Sequence, residues 1–563
     1  MASGRHETRL EHDLSGSLTV AALTIGHRVL ALALLFGSLV FARAAQADRP
    51  TVVPRLEPVP CAKVQGVQWL TRAICGYLVV PEDRSSSNGR TIRLMVAKYS
   101  APSAEKRPDP ILYLEGGPGD IAPLEIDGII KANFIRDRDI WVVSQRGTWS
   151  SEPALICAAN NDFARELLRL RFYSEETKRA HLAASEACRR ELTALSSNLR
   201  AYNSTESVAD LADLRKVLGI AEWNVYGNSF GTYTAQTLMR QHPEGIRSVV
   251  LDSVLPTSYS IPVNWSNTRY GFDNIFEACA AQPACNVAHP HLDRIFTGLV
   301  NKLEAKPLTP IISDPNTGKS VTVVIDGGAL VDWLRNQTYT VPSLQAAPDT
   351  IVGLAAGRGD AVEAIARDRA GRAPPYHPGA VALADGLAVA TTCREDHLGT
   401  PQELAKAGKE AFPDYPASIT REGIGGWAYV GEDCRNVWKF PLAPRLMHEP
   451  VASNIPTLLV SGTFDTLTSL AGAKAAAARL SRATIISIPG VGHTVSPWSP
   501  CAQKIIVAFY NDPNVAPDTS CVGALKPPNF VTKLSSASRR SVISRAKVAS
   551  TKGRIIAKGH LSR

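Results

Sequence analysis

The sequence has no closely paired CxxC; its ten cysteines stand apart at Cys61, Cys75, Cys157, Cys188, Cys279, Cys285, Cys393, Cys434, Cys501 and Cys521. Structural zinc sites are commonly built on such pairs, so none is expected here. After residue 42 the chain has no apolar run approaching the ~20 residues that a membrane-spanning helix requires, and it shows no internal repeat. Acidic residues are absent from residue 533 onward, where nine lysines and arginines occur. That last absence locates the formal net charge of +9: the tail carries +9, residues 1–47 add +1, and the body from Asp48 to Thr532 is left at −1. A near-neutral body lacks the electrostatic footprint of a nucleic-acid enzyme. The tail, rich in serine and alanine, reads as a disordered solvated extension or as a weak tether to an anionic envelope surface.

What is present points to export. Arg28 precedes the apolar run Val29 to Ala42, and Ala45 and Ala47 follow as small residues before a cleavage point. This is the layout of a secretory signal. The stretch ahead of it is long and carries Glu7, Glu11 and Asp13, so a start further in or an uncleaved anchor is the alternative. An even number of cysteines behind such a signal reads as disulfides, because an oxidising compartment preserves them. Joining neighbours in order gives 61 with 75, 157 with 188, 279 with 285, 393 with 434, and 501 with 521. Buried free thiols are the other reading.

At 563 residues and 45% hydrophobic, the chain can bury a full core. The runs Tyr77 to Val80 and Thr91 to Tyr99 flank a Ser/Asn/Gly cluster and predict a hairpin. "PILYLE" from Pro110 and "DIWVVSQRG" from Asp139 are short apolar runs ending in loops, as buried parallel strands do. Val208, Leu211, Leu214 and Leu218 recur at helical spacing, with Ser207 as a cap. A strand at Trp223 to Tyr226, a helix from Phe230 to His242 and a strand from Ile246 follow. This alternation predicts an α/β fold with a mostly parallel sheet and helices on both faces. It fails between Pro256 and Pro450 and resumes with "IPTLLVSGTFD" and "ATIISIPGVGH". The expected organisation is a signal at 1–47, a core at 48–255 and 451–532, a mainly helical cap at 256–450, and the basic tail at 533–563.

The chemistry is anchored on "YGNSFG" from Tyr226 to Gly231. GxSxG is the sequence form of a nucleophile elbow, but at average composition chance alone gives about 0.2 such patterns in a chain this long. Its partners decide. A serine hydroxyl needs a base and a group that orients the base, in the chain order Ser, Asp or Glu, His. Asp465 closes one later strand and His493 the next. Oxyanion donors are expected from the N–H of Phe230, by the geometry of the elbow, and from Gly117 in the loop "GGPG" at 116–119. His289 and His291 in "HPH" have no further ligands grouped nearby and read as a surface loop. The cap tryptophans Trp265, Trp333, Trp427 and Trp438 read as packing, or as the lining of an apolar pocket under the cap.

Taken in order, GGPG, Arg146–Gly147, "DLADLRKVLG", "WNVYGNSFGTYTA", "HPEGIRSVVLDSV", "GTFDTLT" and "GVGH" resemble the secreted prolyl and tripeptidyl aminopeptidase family of serine hydrolases, from about Cys75 to Cys521. The resemblance implies an α/β-hydrolase fold with a helical cap, no cofactor, and release of residues or short peptides from a peptide N-terminus. By that likeness Ser229 is the nucleophile, His493 the general base and then acid, and Asp465 the residue that orients His493. Cys501 and Cys521 match the family's C-terminal disulfide. Two departures, Glu115 before the loop and Ser144 where the family usually has an acid, lie toward the substrate side and leave an esterase or lipase-like hydrolase as the alternative. A non-catalytic envelope-binding protein with this fold is the alternative from another class. An exopeptidase needs a carboxylate for the substrate's free ammonium; Glu395 and Asp396 in "TTCREDH" could serve, or could be solvated surface acids.

Overall fold

The computed structural model describes residues 52–532, apart from 65–69, 71, 87–88, 196–197, 378–381 and 397. The expected signal and the basic tail lie outside the described residues. The chain divides into two compact units; the smaller, Met1–Val52 with Ser85–Gly89, falls almost wholly outside the description, and the larger holds every element below. Among the described residues no helix is long and apolar enough to cross a membrane.

The strands are β1 (Arg55–Val59), β2 (Ala73–Pro81), β3 (Thr91–Tyr99), β4 (Ile111–Leu114), β5 (Ile140–Val143), β6 (Trp223–Asn228), β7 (Ile246–Asp252), β8 (Ile311–Ser313), β9 (Ser320–Thr322), β10 (Thr457–Gly462) and β11 (Ala483–Ile488). Nine form one sheet in the order β1-β2-β3-β5-β4-β6-β7-β10-β11. The six from β5 to β11 run parallel, and the hairpin β2–β3 with β1 adds an antiparallel edge.

The central strands read as unbroken apolar runs because both faces are covered. Side chains of a strand alternate between faces. Ile111 and Tyr113 of β4, Tyr226 of β6, Val250 of β7 and Leu458 of β10 enter one apolar cluster. Leu112, Leu114, Val225, Val249, Leu251 and Leu459 enter the cluster on the opposite face.

The helix before β6 spans Ser204–Val217, and its N-cap is Asn203, whose side chain accepts the Glu206 N–H at 3.0 Å. This corrects Ser207, which lies inside the helix and is buried. The segment N-S-T-E carries the stronger cap signal, since a capping Asn is followed at the third helical position by an acid near the positive helix end.

After β7 the chain leaves the sheet and returns at β10, which pairs with β7 from Thr457↔Val249 to Val460↔Asp252. An insertion between neighbouring strands leaves the ladder unbroken. The insertion is mainly helical, with one small hairpin, β8–β9. A second stretch joins it: Leu168, Phe172 and Tyr173 pack among the insertion's helices, and Cys157, Cys188 and Leu192 cluster with Cys393, Cys434 and Trp438. All ten cysteines are bonded, as 61–75, 157–188, 279–285, 393–434 and 501–521.

Candidate active site

Ser229 stands where β6 ends and the helix Phe230–Gln241 begins. The turn holds it at φ 53° and ψ −122°, which a residue with a side chain rarely adopts. The flanking glycines make so tight a turn possible. A Cβ on Gly227 would lie 2.6 Å from the Gly231 carbonyl oxygen, and one on Gly231 would lie 2.1 Å from that of Leu114.

Asp465 and His493 follow β10 and β11, so all three residues emerge at the C-terminal edge of the parallel strands. His493 Nε2 lies 2.8 Å from Ser229 Oγ, and His493 Nδ1 lies 2.9 Å from Asp465 Oδ2. Asp465 also accepts the backbone N–H of Leu467 (2.8 Å) and of Thr468 (2.9 Å), and the Thr468 hydroxyl (2.6 Å). Burial opposes ionisation of Asp465, but the facing imidazole and these hydrogen bonds outweigh it and hold the carboxyl below its ordinary range. Burial likewise disfavours a charged His493, yet Asp465 prevails, helped by Asp252 and Asp120, and the imidazole pKa is raised. A hydroxyl bonded to an imidazole that is bonded to a carboxylate can pass its proton to the ring as the oxygen attacks.

The loop after β4 closes over this group. Gly116 packs on Ser229 so closely that a Cβ there would lie 2.9 Å from Ser229 Cβ. The Gly116 N–H is taken by the Glu115 carboxyl at 2.7 Å. The amides of Gly117 and Phe230, by contrast, meet no acceptor among the described residues. A free amide on the residue after Ser229 and another on the loop packed against it are what an oxyanion requires.

Several supports carry no motif and escape sequence reading. Asp252, closing β7, accepts the Tyr226 hydroxyl (2.6 Å) and the N–H groups of Val495 and Ser496 (both 2.9 Å), which anchors the loop after His493. Its only sequence signal is an acid at the end of the strand beside β6. From the cap, the Thr338 carbonyl accepts the His493 N–H at 3.0 Å, and the Tyr339 ring stands edge-on to the imidazole at 5.2 Å.

Glu395 and Asp396 are not solvated surface acids. Glu395 is 5% exposed, and one oxygen accepts the Ser204 N–H at 2.8 Å. Asp396 accepts the Ile261 N–H at 3.1 Å. The second oxygen of each is buried as well; the Tyr233 hydroxyl faces Glu395, and Ser260 faces Asp396. Burial pushes both carboxyls up to about 7. Tyr233 stacks on Phe230 at 5.1 Å, which links this group to the turn at Ser229.

Glu115 and Ser144 are buried, not exposed on a substrate-facing surface. Glu115 is 4% and Ser144 1% exposed, and the Ser144 hydroxyl pairs with that of Ser150 at 3.0 Å. His289 is likewise buried rather than in a surface loop, with Nε2 3.2 Å from the Val531 carbonyl. Cys157, Cys188 and Asp385 come close enough together to suggest metal ligands, but the two sulfurs are joined in a disulfide.

The chain is 24% identical over 487 residues to serine protease Hip1 of Mycobacterium tuberculosis, covering 83% of this chain and 90% of that one. It is 28% identical over 192 residues to a tripeptidyl aminopeptidase of Streptomyces coelicolor, covering 33% and 35%. A solved proline iminopeptidase of Mycobacterium smegmatis aligns over 78% of this chain and 98% of its own at 13% identity, with a TM-score of 0.34. The model of the alpha/beta hydrolase fold matches residues 109–500, a span that runs from the start of β4 past His493 and takes in the elbow, both partner loops and the cap between them. The chain belongs to the alpha/beta hydrolase family.

Proposed function

We propose that the protein is an exported serine peptidase that releases residues or short peptides from peptide N-termini through an acyl-enzyme on Ser229. The carrying observation is the unbroken chain Ser229 Oγ, His493 Nε2, His493 Nδ1, Asp465 Oδ2, with links of 2.8 and 2.9 Å. In this reading Ser229 Oγ attacks the scissile carbonyl while its proton passes to His493 Nε2. The oxyanion takes the N–H groups of Gly117 and Phe230. His493 then returns the proton to the leaving amine, and a water, deprotonated by the same nitrogen, releases the acyl group. Five disulfides and the N-terminal apolar segment support an oxidising compartment.

The N-terminal preference rests on Glu395 and Asp396. Two acids with buried carboxyl oxygens, both pushed up to about 7, would ionise when a substrate ammonium arrives, because the opposite charge offsets their desolvation. Hydrolysis of aminoacyl and tripeptidyl anilides, compared with short acyl esters and with N-blocked peptides, tests this. Cleavage of free-amine anilides and not of blocked ones is expected. Ester turnover without anilide cleavage would make the protein an esterase. Absence of fluorophosphonate labelling at Ser229 would leave a non-catalytic, envelope-binding role.

A further inference from the structure

Glu115 follows β4 directly and precedes the loop that carries Gly117. Its buried carboxyl takes three contacts: the Gly116 N–H at 2.7 Å, the Asn228 side-chain amide at 3.0 Å, and the Tyr113 hydroxyl. Asn228 is the residue before Ser229, and its own carbonyl accepts the hydroxyl of Thr494, the residue after His493, at 3.1 Å. One carboxyl therefore ties together the oxyanion loop, the nucleophile turn and the histidine loop. By engaging the Gly116 N–H it also fixes the direction of the next amide, that of Gly117.

The surroundings of this carboxyl are anionic. The charged groups that act on it are acids. Glu125 faces it from the short helix Ala122–Glu125 and Asp120 from the loop, while the Tyr226 ring stacks behind Tyr113 at 5.7 Å. Protonation costs none of the three contacts: Oε1 still accepts two N–H groups, and the Oε2 contact only reverses, with the acid donating to Tyr113.

We propose that Glu115 is a positioning residue that locks the oxyanion loop to the strand carrying Ser229, and that it does so as the neutral carboxylic acid. The inference rests on the serine-hydrolase reading above. Ionised, Glu115 would set a negative charge under the place where the tetrahedral oxyanion forms, in a site of low dielectric, and would oppose it. Burial, then Glu125, push the group up to about 8, against the hydrogen bonds from Gly116 and Tyr113. The rate therefore falls as pH rises through that value. With His493 required neutral at the other end, the profile is bell-shaped.

The test is the pH profile of kcat on one chromogenic anilide or ester for the natural protein, Glu115→Gln and Glu115→Ala, each checked by circular dichroism. The glutamine side chain accepts both N–H groups and donates to Tyr113, so Glu115→Gln should show at pH 9 a rate no lower than at pH 7. Glu115→Ala releases the Gly116 N–H, and with it the orientation of the Gly117 amide, and should lower kcat ~100- to 1000-fold with KM little changed, as loss of an oriented oxyanion donor does. An alkaline limb that persists in Glu115→Gln would overturn the proposal even where Glu115→Ala fails to fold. A natural protein that fluorophosphonate does not label would instead overturn the hydrolase reading itself, and this inference with it.

Discussion

The sheet and the cap of this protein are built by different rules. In the sheet, each chemical residue stands at the end of a strand whose partners are fixed by a backbone ladder. Ser229, Asp465 and His493 converge because β6, β10 and β11 are parallel members of one sheet. In the cap, helices from two separate stretches of chain are held by side-chain packing and by disulfides 157–188, 279–285 and 393–434. Three of the four tryptophans noted there, Trp265, Trp333 and Trp438, lie inside its apolar clusters. In the proposed function this is a division of labour, with bond cleavage at the sheet edge and choice of substrate in the cap.

The most drastic way to break that division is to disable the sheet-borne group. Ser229→Ala or His493→Ala should lower kcat by roughly 10⁴- to 10⁶-fold, since a triad acts as a unit, while near-UV circular dichroism stays unchanged. Asp465→Asn should cost about 10⁴-fold, because the wrong imidazole tautomer is then favoured; a loss under tenfold would remove Asp465 from the relay.

The pH dependence sharpens the same half of the comparison. His493 must be neutral to accept the serine proton, and its pKa is raised above the ordinary 6.5. Neutral base is lost as pH falls through the raised value, so the acidic limb of kcat/KM should lie above 6.5. Asp465→Asn removes the main raising charge, and any residual activity should show that limb displaced downward.

On the cap side, Glu395→Gln should raise KM for free-amine peptides about tenfold, the cost of one charge contact near 1.4 kcal/mol, and leave N-blocked esters unaffected. An equal effect on both would make Glu395 structural. Smallest for catalysis is the loss of a cap staple. Removing the 393–434 disulfide should cost stability by ~2–4 kcal/mol, read as a lower Tm, with little change in ester kcat.

Legibility in the sequence follows the same line. β4, β5, β6, β7 and β10 are readable because burial on both faces demands continuous apolar runs, and a strand that ends in a loop must place its next residues at the sheet edge. The cap resisted reading because its helices meet through contacts between residues far apart in sequence, such as Trp438 Nε1 with Ser185 Oγ at 2.8 Å. The helix start at Asn203 was missed for a local reason, since spacing of apolar residues marks a helix face and not its first turn.

By itself the sequence determined the α/β class, the elbow at Ser229 and the chain order of Ser229, Asp465 and His493, because these depend on local periodicity and on short motifs. Only the tertiary structure decided that the carboxyl oxygens of Glu395 and Asp396 are buried, that Asp252 braces the histidine loop, and that Glu115 is buried against Gly116 and Asn228. The physical reason is common to all three: the environment of a carboxyl is set by what packs around it, and that is written in residues distant along the chain.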